Sequence, residues 1–210
     1  SIRGSLGLML SNALGELPAQ MRNLADIAHS NSIRLVNLIN DILDMEKILA
    51  GKMEFFIEPV ELSSLVEHSV KVNIPFAEQY NVKFEITENL PGIKINVDKE
   101  RFTQVITNLL SNAAKFSVTE SSVEISISRY KDQIRTAVKN YGSPIPENFR
   151  DKIFEQKFVQ ADSSDTRQKG GTGLGLSICK NIIDQMGGSI GFDSEETATT
   201  FYVDFPELTT

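Results

Sequence analysis

The chemistry available to this chain starts with three polar residues at helical spacing, Asn108, Asn112 and Lys115. A helix would bring positions four and three residues apart into one narrow stripe. Amide oxygens are suitable ligands for Mg²⁺, and a lysine ammonium binds phosphate. The stripe could therefore hold a phosphate chain that carries a metal ion. The same residues would also suit a solvated polar helix face, and by themselves they do not separate the two interpretations.

A glycine-rich run is the second candidate element, Lys169-Gly170-Gly171-Thr172-Gly173-Leu174-Gly175-Leu176-Ser177. Glycine lets another group approach the backbone closely. An apolar helical run follows at once, and the first N–H groups of such a helix would point back at the loop as an anion site. The run predicts a phosphate cradle, with a flexible connection before a helix as the alternative.

Composition limits the classes of function. The chain has 210 residues, 40% of them hydrophobic and 23% charged, as in soluble globular proteins. Its net charge of −7 argues against a general nucleic-acid or anionic-membrane binder. The single cysteine, Cys179, cannot form an internal disulfide and fits a reducing compartment. No apolar run approaches the roughly 20 residues that span a bilayer.

Residues 1–50 predict a helical hairpin, with a glycine stop and a proline restart between its helices. The second helix is expected from about Pro18 to Leu49 and carries a coiled-coil seam. The seam residues are Leu24, Ala28, Asn31, Leu35, Leu38, Ile42, Met45 and Leu49. Because this apolar face is broader than one hairpin can bury, we expect two chains to form a four-helix bundle. The alternative is that the hairpin docks on its own chain.

Residues 51–210 predict an α/β sandwich, so the whole chain is α+β. We expect a strand over 53–57, a helix from Leu62 that kinks or restarts at Pro75, and a helix from Asp98 to Phe116. Strands are expected around Phe84 and Ile95, in a hairpin about Lys131-Asp132, and twice after a helix that ends near Met186. Residues 159–170 read as a loop. The order lacks the βαβ alternation of a dinucleotide fold and predicts a mixed sheet covered on one face by helices.

Several segments together resemble sensor histidine kinases. Residues 108–117, Asn-Leu-Leu-Ser-Asn-Ala-Ala-Lys-Phe-Ser, closely resemble the N box of that family. Residues 153–158 resemble its phenylalanine box, and residues 162–176 its nucleotide lid with the second glycine box. Thr199-Thr200-Phe201 stands where the last box of the lid would be. Residues 38–44 resemble the second helix of the dimerisation and phosphotransfer domain.

The resemblance implies a truncated dimerisation and phosphotransfer hairpin over 1–50, followed by an ATP-binding domain over 51–210. That domain would have the GHKL fold, which is shared with gyrase, the heat-shock chaperone and the mismatch-repair ATPase. Asn112 would ligate Mg²⁺, with Asn108 and Lys115 near the phosphates, and Phe116 bordering the adenine. Phe154 and Phe158 would pack the base of the lid. The residues implied to bind ATP are Asn108, Asn112, Lys115, Phe116, Asn140, Gly142, Ile145, Lys169, Gly171, Thr172, Gly173, Leu174, Gly175, Leu176 and Thr200.

Two departures from the family pattern affect the expected activity. The family's phosphoacceptor motif, of the form H-E-L-R-T-P-L, is expected just upstream of Ser1, and neither His29 nor His68 fits it. We therefore assign no catalytic residue here and expect no autophosphorylation by these residues alone. The first glycine box, roughly D-x-G-x-G-I-P, reads Asn-Tyr-Gly-Ser-Pro-Ile-Pro over 140–146. Asn140 lacks the charge of the aspartate that accepts from adenine, and Pro144 removes an N–H and stiffens the loop.

The predicted function is a protein-histidine kinase of two-component signalling, with ATP and Mg²⁺ as cofactors. It would phosphorylate the upstream histidine and then a response-regulator receiver domain, as a homodimer, without contacting nucleic acid or membrane. We expect a cytoplasmic location, alone or as the cytoplasmic part of a membrane-anchored sensor. The alternative, favoured by the first glycine box, is a pseudokinase that acts as a dimeric scaffold. An ATPase or chaperone on the same fold is opposed by the helical hairpin.

Overall fold

The computed structural model describes residues 1–11, 13, 15–155 and 173–208. The chain divides into two compact units, Ser1–Lys52 and Met53–Thr210. Among the described residues, no helix has the combination of length and apolar character needed to cross a membrane.

The first unit contains two helices, α1 (Ile2–Leu10) and α2 (Ala19–Leu49). Pro18 precedes α2 with a φ of −54°, which a proline adopts without cost at a helix start. The two helices pack together over Ala25, which is buried, and Arg22 donates to the carbonyl of Leu10 at 3.4 Å. Leu24 and Leu35 of the predicted seam are 68% and 56% exposed in the single chain. The two predicted helices are therefore confirmed, and the bundle of two chains stays a prediction.

The second unit is a mixed sheet with helices on one side. The elements are β1 (Glu58–Glu61), α3 (Leu62–Gln79), β2 (Lys83–Glu88), β3 (Lys94–Val97), α4 (Lys99–Phe116), β4 (Ser122–Tyr130), β5 (Gln133–Tyr141), α5 (Glu147–Arg150), α6 (Gly175–Gln185), β6 (Ser189–Ser194) and β7 (Ala198–Pro206). The main sheet has the order β2-β4-β5-β7-β6, in which β2 and β4 are parallel and the other pairs antiparallel. β1 and β3 form a separate antiparallel pair. The predicted α+β class with a mixed sheet is confirmed.

Hydrophobic periodicity decides which face of each element is buried. Ile125 on β4 pairs with Val138 on β5. Both side chains are buried on the side of the sheet where α4 and α6 lie. α4 buries apolar residues from Phe102 to Ala114 on the side facing this core. That burial fixes the rotation of α4, so its polar stripe lies outside the apolar core.

Two sequence-based expectations were wrong. No strand forms over residues 53–57, because the Phe56 N–H donates to Oδ2 of Asp98 at 2.8 Å, and the strand begins at Glu58 instead. Of the kink or restart expected at Pro75, the restart is wrong, because α3 is one helix through that residue, and the kink stays a prediction. A proline removes a single helical hydrogen bond. Here Asn73 anchors α3 to Thr107 of α4 at 3.1 Å, and tertiary packing outweighs the local loss.

Candidate functional site

The polar stripe of α4 is built on a capped helix start. Asp98 accepts from the Arg101 N–H at 3.0 Å and from the Phe56 N–H at 2.8 Å. Burial alone would raise the pKa of Asp98, but the backbone hydrogen bonds from Arg101 and Phe56 outweigh burial. The pKa of Asp98 is therefore lowered below its ordinary value of 3.8, and this cap is charged at neutral pH.

Within the stripe, the two asparagines are joined to each other. Nδ2 of Asn112 donates to Oδ1 of Asn108 at 3.0 Å, and both side chains are half-buried. This bond uses an N–H of Asn112 and orients its side-chain oxygen away from that contact. Lys115 lies one turn further on, with its ammonium 5.9 Å from the centroid of the Phe76 ring on α3. The stripe thus presents an amide oxygen, with a cation on the α3 side.

The start of α6 lies directly against this stripe. Gly173 has a φ of +69°, which favours glycine, and Leu174 behind it is fully buried. Ser177 donates to the Leu174 carbonyl at 2.8 Å and ties down the first turn. A Cβ on Gly175 would lie 2.8 Å from Oδ1 and 3.0 Å from Cγ of Asn108, with Nδ2 closer still. The structure therefore brings together the helical stripe and the end of the glycine run, two features that are far apart in sequence.

A polar group of residues closes the other end of the site, where three strands end. Asn140 on β5 pairs with Thr199 on β7, which pairs with Ser194 on β6. Ser194 lies 3.1 Å from the Thr199 hydroxyl and accepts from the Ile145 N–H at 2.9 Å. The carbonyl of Ile145 in turn accepts from Arg150 at 3.0 Å. The degenerate glycine box is thereby anchored to the sheet.

Close backbone contact joins this box to the end of α4. A Cβ on Gly142 would collide with the carbonyl oxygen of Phe116, so a glycine is needed there. The Gly142 N–H donates to the Thr197 carbonyl at 3.0 Å, and the Val118 N–H donates to the Tyr141 carbonyl at 2.7 Å. Phe116 itself is 43% exposed beside this crossing. An exposed aromatic ring next to a tight backbone crossing is suited to stack on a planar ligand.

Not every proposed site residue lies at this place. Thr200 pairs with Lys139 on the face of the sheet that carries Tyr202 and Arg135, opposite to the helices. Strand alternation puts its neighbour Thr199 on the site face instead. Leu176 is half-buried in the first turn of α6. Three further candidates lie outside the described residues, namely Lys169, Gly171 and Thr172.

Of the phenylalanine box expected over 153–158, the structure describes residues 153–155. Phe154 packs its ring 6.0 Å from Phe192 and 6.3 Å from Phe201, on the helix side of the sheet. Phe154 is thus half-buried in a cluster of three aromatic rings on that side of the sheet. Phe158, its expected companion, lies outside the described residues.

The sequence reasoning missed three polar residues of the site, Ser117, Ser194 and Thr199. The alternation that buries Phe201 and Val203 could have identified Thr199, since it lies two residues before Phe201 on the same face. Ser117 closes the segment that resembles the N box, without an assigned role, and Ser194 carried no usable signal. Both positions follow from the way the ends of α4 and β6 meet the glycine box.

The donor set fits a metal ion only as part of a larger ligand. In the described part of the chain, no group of three or more His, Cys, Asp or Glu side chains could hold a metal ion. Asn112 offers one amide oxygen, which is too little for a dedicated Mg²⁺ site. Mg²⁺ commonly keeps several waters and phosphate oxygens and takes only one or two protein ligands. The arrangement therefore fits Mg²⁺ that arrives with phosphate.

The fold and this site define an ATPase domain of a recognised family. Residues 97–209 match the model of the "Histidine kinase-, DNA gyrase B-, and HSP90-like ATPase" family, and the chain belongs to it. Over 98% of its length the chain is 34% identical to the circadian input-output histidine kinase CikA of Synechococcus elongatus. Over 96% it is 32% identical to the signal transduction histidine-protein kinase BarA of Escherichia coli. These matches identify a histidine kinase core of the GHKL type.

A solved structure supports the same fold. The crystal structure of full-length ShkA in complex with AMPPNP matches all of this chain with a TM-score of 0.74 and 26% identity, covering 43% of ShkA. The chain spans only 28% of CikA and 22% of BarA.

Proposed function

We propose that this chain is the ATP-binding core of a histidine kinase that passes the γ-phosphoryl group of ATP to a histidine outside the chain. The observation that carries the proposal is the contact between Asn108 and Gly175, with Asn112 bonded to Asn108. This contact joins a helix face suited to a metal–phosphate group to a helix start suited to phosphate oxygens. Family membership and the AMPPNP complex of ShkA support ATP as the nucleotide.

In the proposed complex, each residue does one task. The side-chain oxygen of Asn112 would hold Mg²⁺, and the ion would supply positive charge that offsets the charge of the phosphates. Lys115 balances charge from the α3 side, and the first N–H groups of α6 bind phosphate oxygens. Asn140 hydrogen-bonds to the nucleotide base, and the ring of Phe116 stacks on the plane of that base. These residues position the nucleotide, which is the main requirement in phosphoryl transfer.

A pseudokinase remains the second candidate because of two residues in the first glycine box. Asn140 offers a neutral amide where the family pattern has a carboxylate, and Pro144 has no N–H to donate. Losing one charge-assisted hydrogen bond lowers affinity by about ten-fold. A binding measurement therefore separates the two candidates.

Calorimetric titration of the chain with Mg²⁺–AMPPNP tests the proposal. We expect a dissociation constant on the order of 100 μM. Asn112→Ala should weaken binding at least about ten-fold, because it removes the metal ligand. Asn96→Ala is the matched control, since Asn96 is exposed on the separate β1–β3 pair. Absence of binding heat at about 1 mM analogue would contradict the kinase proposal and favour a pseudokinase scaffold.

A second titration tests the account of the first glycine box. The double substitution Asn140→Asp and Pro144→Gly restores the family pattern and should tighten binding about ten-fold. An unchanged affinity would show that these two residues do not limit binding.

We also propose that α2 forms a homodimer through its exposed apolar face and that the kinase serves a response-regulator receiver domain. Leu35 is 56% exposed in the single chain, and burying such residues between two chains is favourable. Leu35→Glu should convert dimer to monomer in light scattering after size-exclusion chromatography. Val72→Glu is the control, because Val72 is 61% exposed on α3 of the second unit. A monomeric wild-type chain would contradict the dimer.

The receiver partner needs a longer chain that includes the phosphoacceptor histidine. Labelled phosphate should pass from that histidine to a receiver aspartate within minutes of mixing. Stable label on the histidine with every receiver tried would argue against this partner.

A further inference from the structure

We propose that Asn140 and Ser117 form a neutral base-reading pair that accepts purine nucleotides with a carbonyl group at position 6 as well as ATP. The inference rests on the proposed function, since it assumes that a nucleotide base enters beside Asn140. It goes beyond that function by assigning a relaxed choice of base and the residues responsible.

The first observation is the state of Asn140. Its side chain is on the helix-facing side of β5, and the residue is only 4% exposed. Among the residues that the structure describes, its amide makes no hydrogen bond, whereas its neighbours Ser194 and Thr199 bond to each other. A polar side chain in a residue this buried ordinarily has a hydrogen-bond partner. The Asn140 amide is therefore placed to bind a ligand.

The second observation concerns Ser117, whose hydroxyl oxygen is buried and has no hydrogen-bond partner in the described part of the chain. Ser117 ends α4 at the same backbone crossing, between the Phe116 carbonyl that faces Gly142 and the Val118 N–H that bonds to Tyr141. The Nδ2 atom of Asn140 is 3.6 Å from the position a Cβ would take on Gly142. Two unpartnered polar side chains thus flank one short stretch of backbone.

Both groups can donate or accept, and this property sets the specificity. Adenine presents an amino donor at position 6, whereas hypoxanthine and guanine present a carbonyl acceptor there. An amide satisfies either pattern by turning over, which exchanges its oxygen and its NH₂ group, and a serine hydroxyl rotates likewise. A carboxylate has only acceptors at neutral pH and would face the carbonyl with like charge. Asparagine at this position therefore removes the basis for rejecting a 6-carbonyl purine.

Inosine triphosphate is the sharpest probe, because hypoxanthine differs from adenine only around position 6. Calorimetric titration of the wild-type chain with Mg²⁺–ATP and Mg²⁺–ITP should give dissociation constants within about ten-fold of each other. If ATP binds and ITP binds more than about a hundred-fold more weakly, the inference is overturned while the proposed function stands. If neither binds, the proposed function fails as well.

A substitution then assigns the effect to Asn140. Asn140→Asp should widen the preference for ATP over ITP to about a hundred-fold or more, by tightening ATP and weakening ITP. Asn96→Asp adds the same negative charge on the exposed surface of β3 and should leave the ATP-to-ITP ratio at its wild-type value. An aspartate variant that stays folded and keeps the wild-type ratio would show that Asn140 does not read the base.

Discussion

Gly175→Ala tests the contact that joins the two halves of the phosphate side. The added methyl would lie 2.8 Å from Oδ1 and 3.0 Å from Cγ of Asn108, closer than side-chain atoms ordinarily approach. The Asn108 amide must therefore turn away. Because its Oδ1 accepts the 3.0 Å hydrogen bond from Asn112, that bond is lost and the second amide is released.

Two opposing contributions set the change in the free energy of unfolding of Gly175→Ala. Loss of one neutral hydrogen bond costs about 1 kcal/mol of folding stability. Replacing glycine by alanine in a helix returns up to about 1 kcal/mol. The free energy of unfolding should therefore change by less than about 1 kcal/mol. Nucleotide affinity has no such compensation, since Asn108 and Asn112 are both displaced, and we expect a loss of at least about ten-fold, or 1.4 kcal/mol.

The assay pairs urea unfolding with calorimetric titration of Mg²⁺–AMPPNP on the same samples. Gly4→Ala is the matched control, because nothing lies within 4 Å of a Cβ at that position of α1. It should keep wild-type affinity and gain slightly in stability. If Gly175→Ala binds nucleotide as tightly as the wild type, the Asn108–Gly175 contact does not organise the site and the reasoning is refuted.

Three further substitutions probe contacts that stabilise the second unit. Gly142→Ala should destabilise the fold by about 3 kcal/mol in urea unfolding, because the added Cβ meets the backbone carbonyl of Phe116. A loss below about 0.5 kcal/mol would contradict that crossing. Asp98 has a lowered pKa, so its contribution is complete above the ordinary value of 3.8 and is lost as pH falls through the lower folded value. The difference in the free energy of unfolding between wild type and Asp98→Asn should therefore shrink in acid. A difference that is constant with pH would contradict the role of the Asp98 charge. Asp204→Asn should cost about 2 kcal/mol, because Arg135 bonds both carboxylate oxygens at 2.8 Å and Asp204 is 4% exposed. Unchanged thermal unfolding would show that this pair adds nothing.

Local patterns predicted much of the fold. The cap at Asp98 and the hairpin turn at Lys131-Asp132 follow from residue types and period, and both are observed. The strand predicted over 53–57 does not form. Its apolar residues suggested burial, yet Phe56 is 77% exposed and its N–H donates a hydrogen bond to Asp98. That hydrogen bond joins residues 42 positions apart, which no local pattern reports.

The site was predictable in its parts and not in its assembly. Helical spacing predicted the Asn108–Asn112 pair, and the glycine run predicted the start of α6. Their contact depends on how α4 and α6 pack, a long-range result of core burial. Thr200 was chosen by resemblance to a motif, whereas strand alternation favours Thr199 on the site face.

The central claim is that one nucleotide contacts three separated segments of the second unit. Amide hydrogen exchange with and without Mg²⁺–AMPPNP tests it most directly, because it locates protection along the chain. The account predicts slower exchange over 108–118, 140–146 and 173–178, with no change in β1 or β3. Protection that is absent from these three segments at saturating nucleotide, or confined to β1 and β3, would contradict the account.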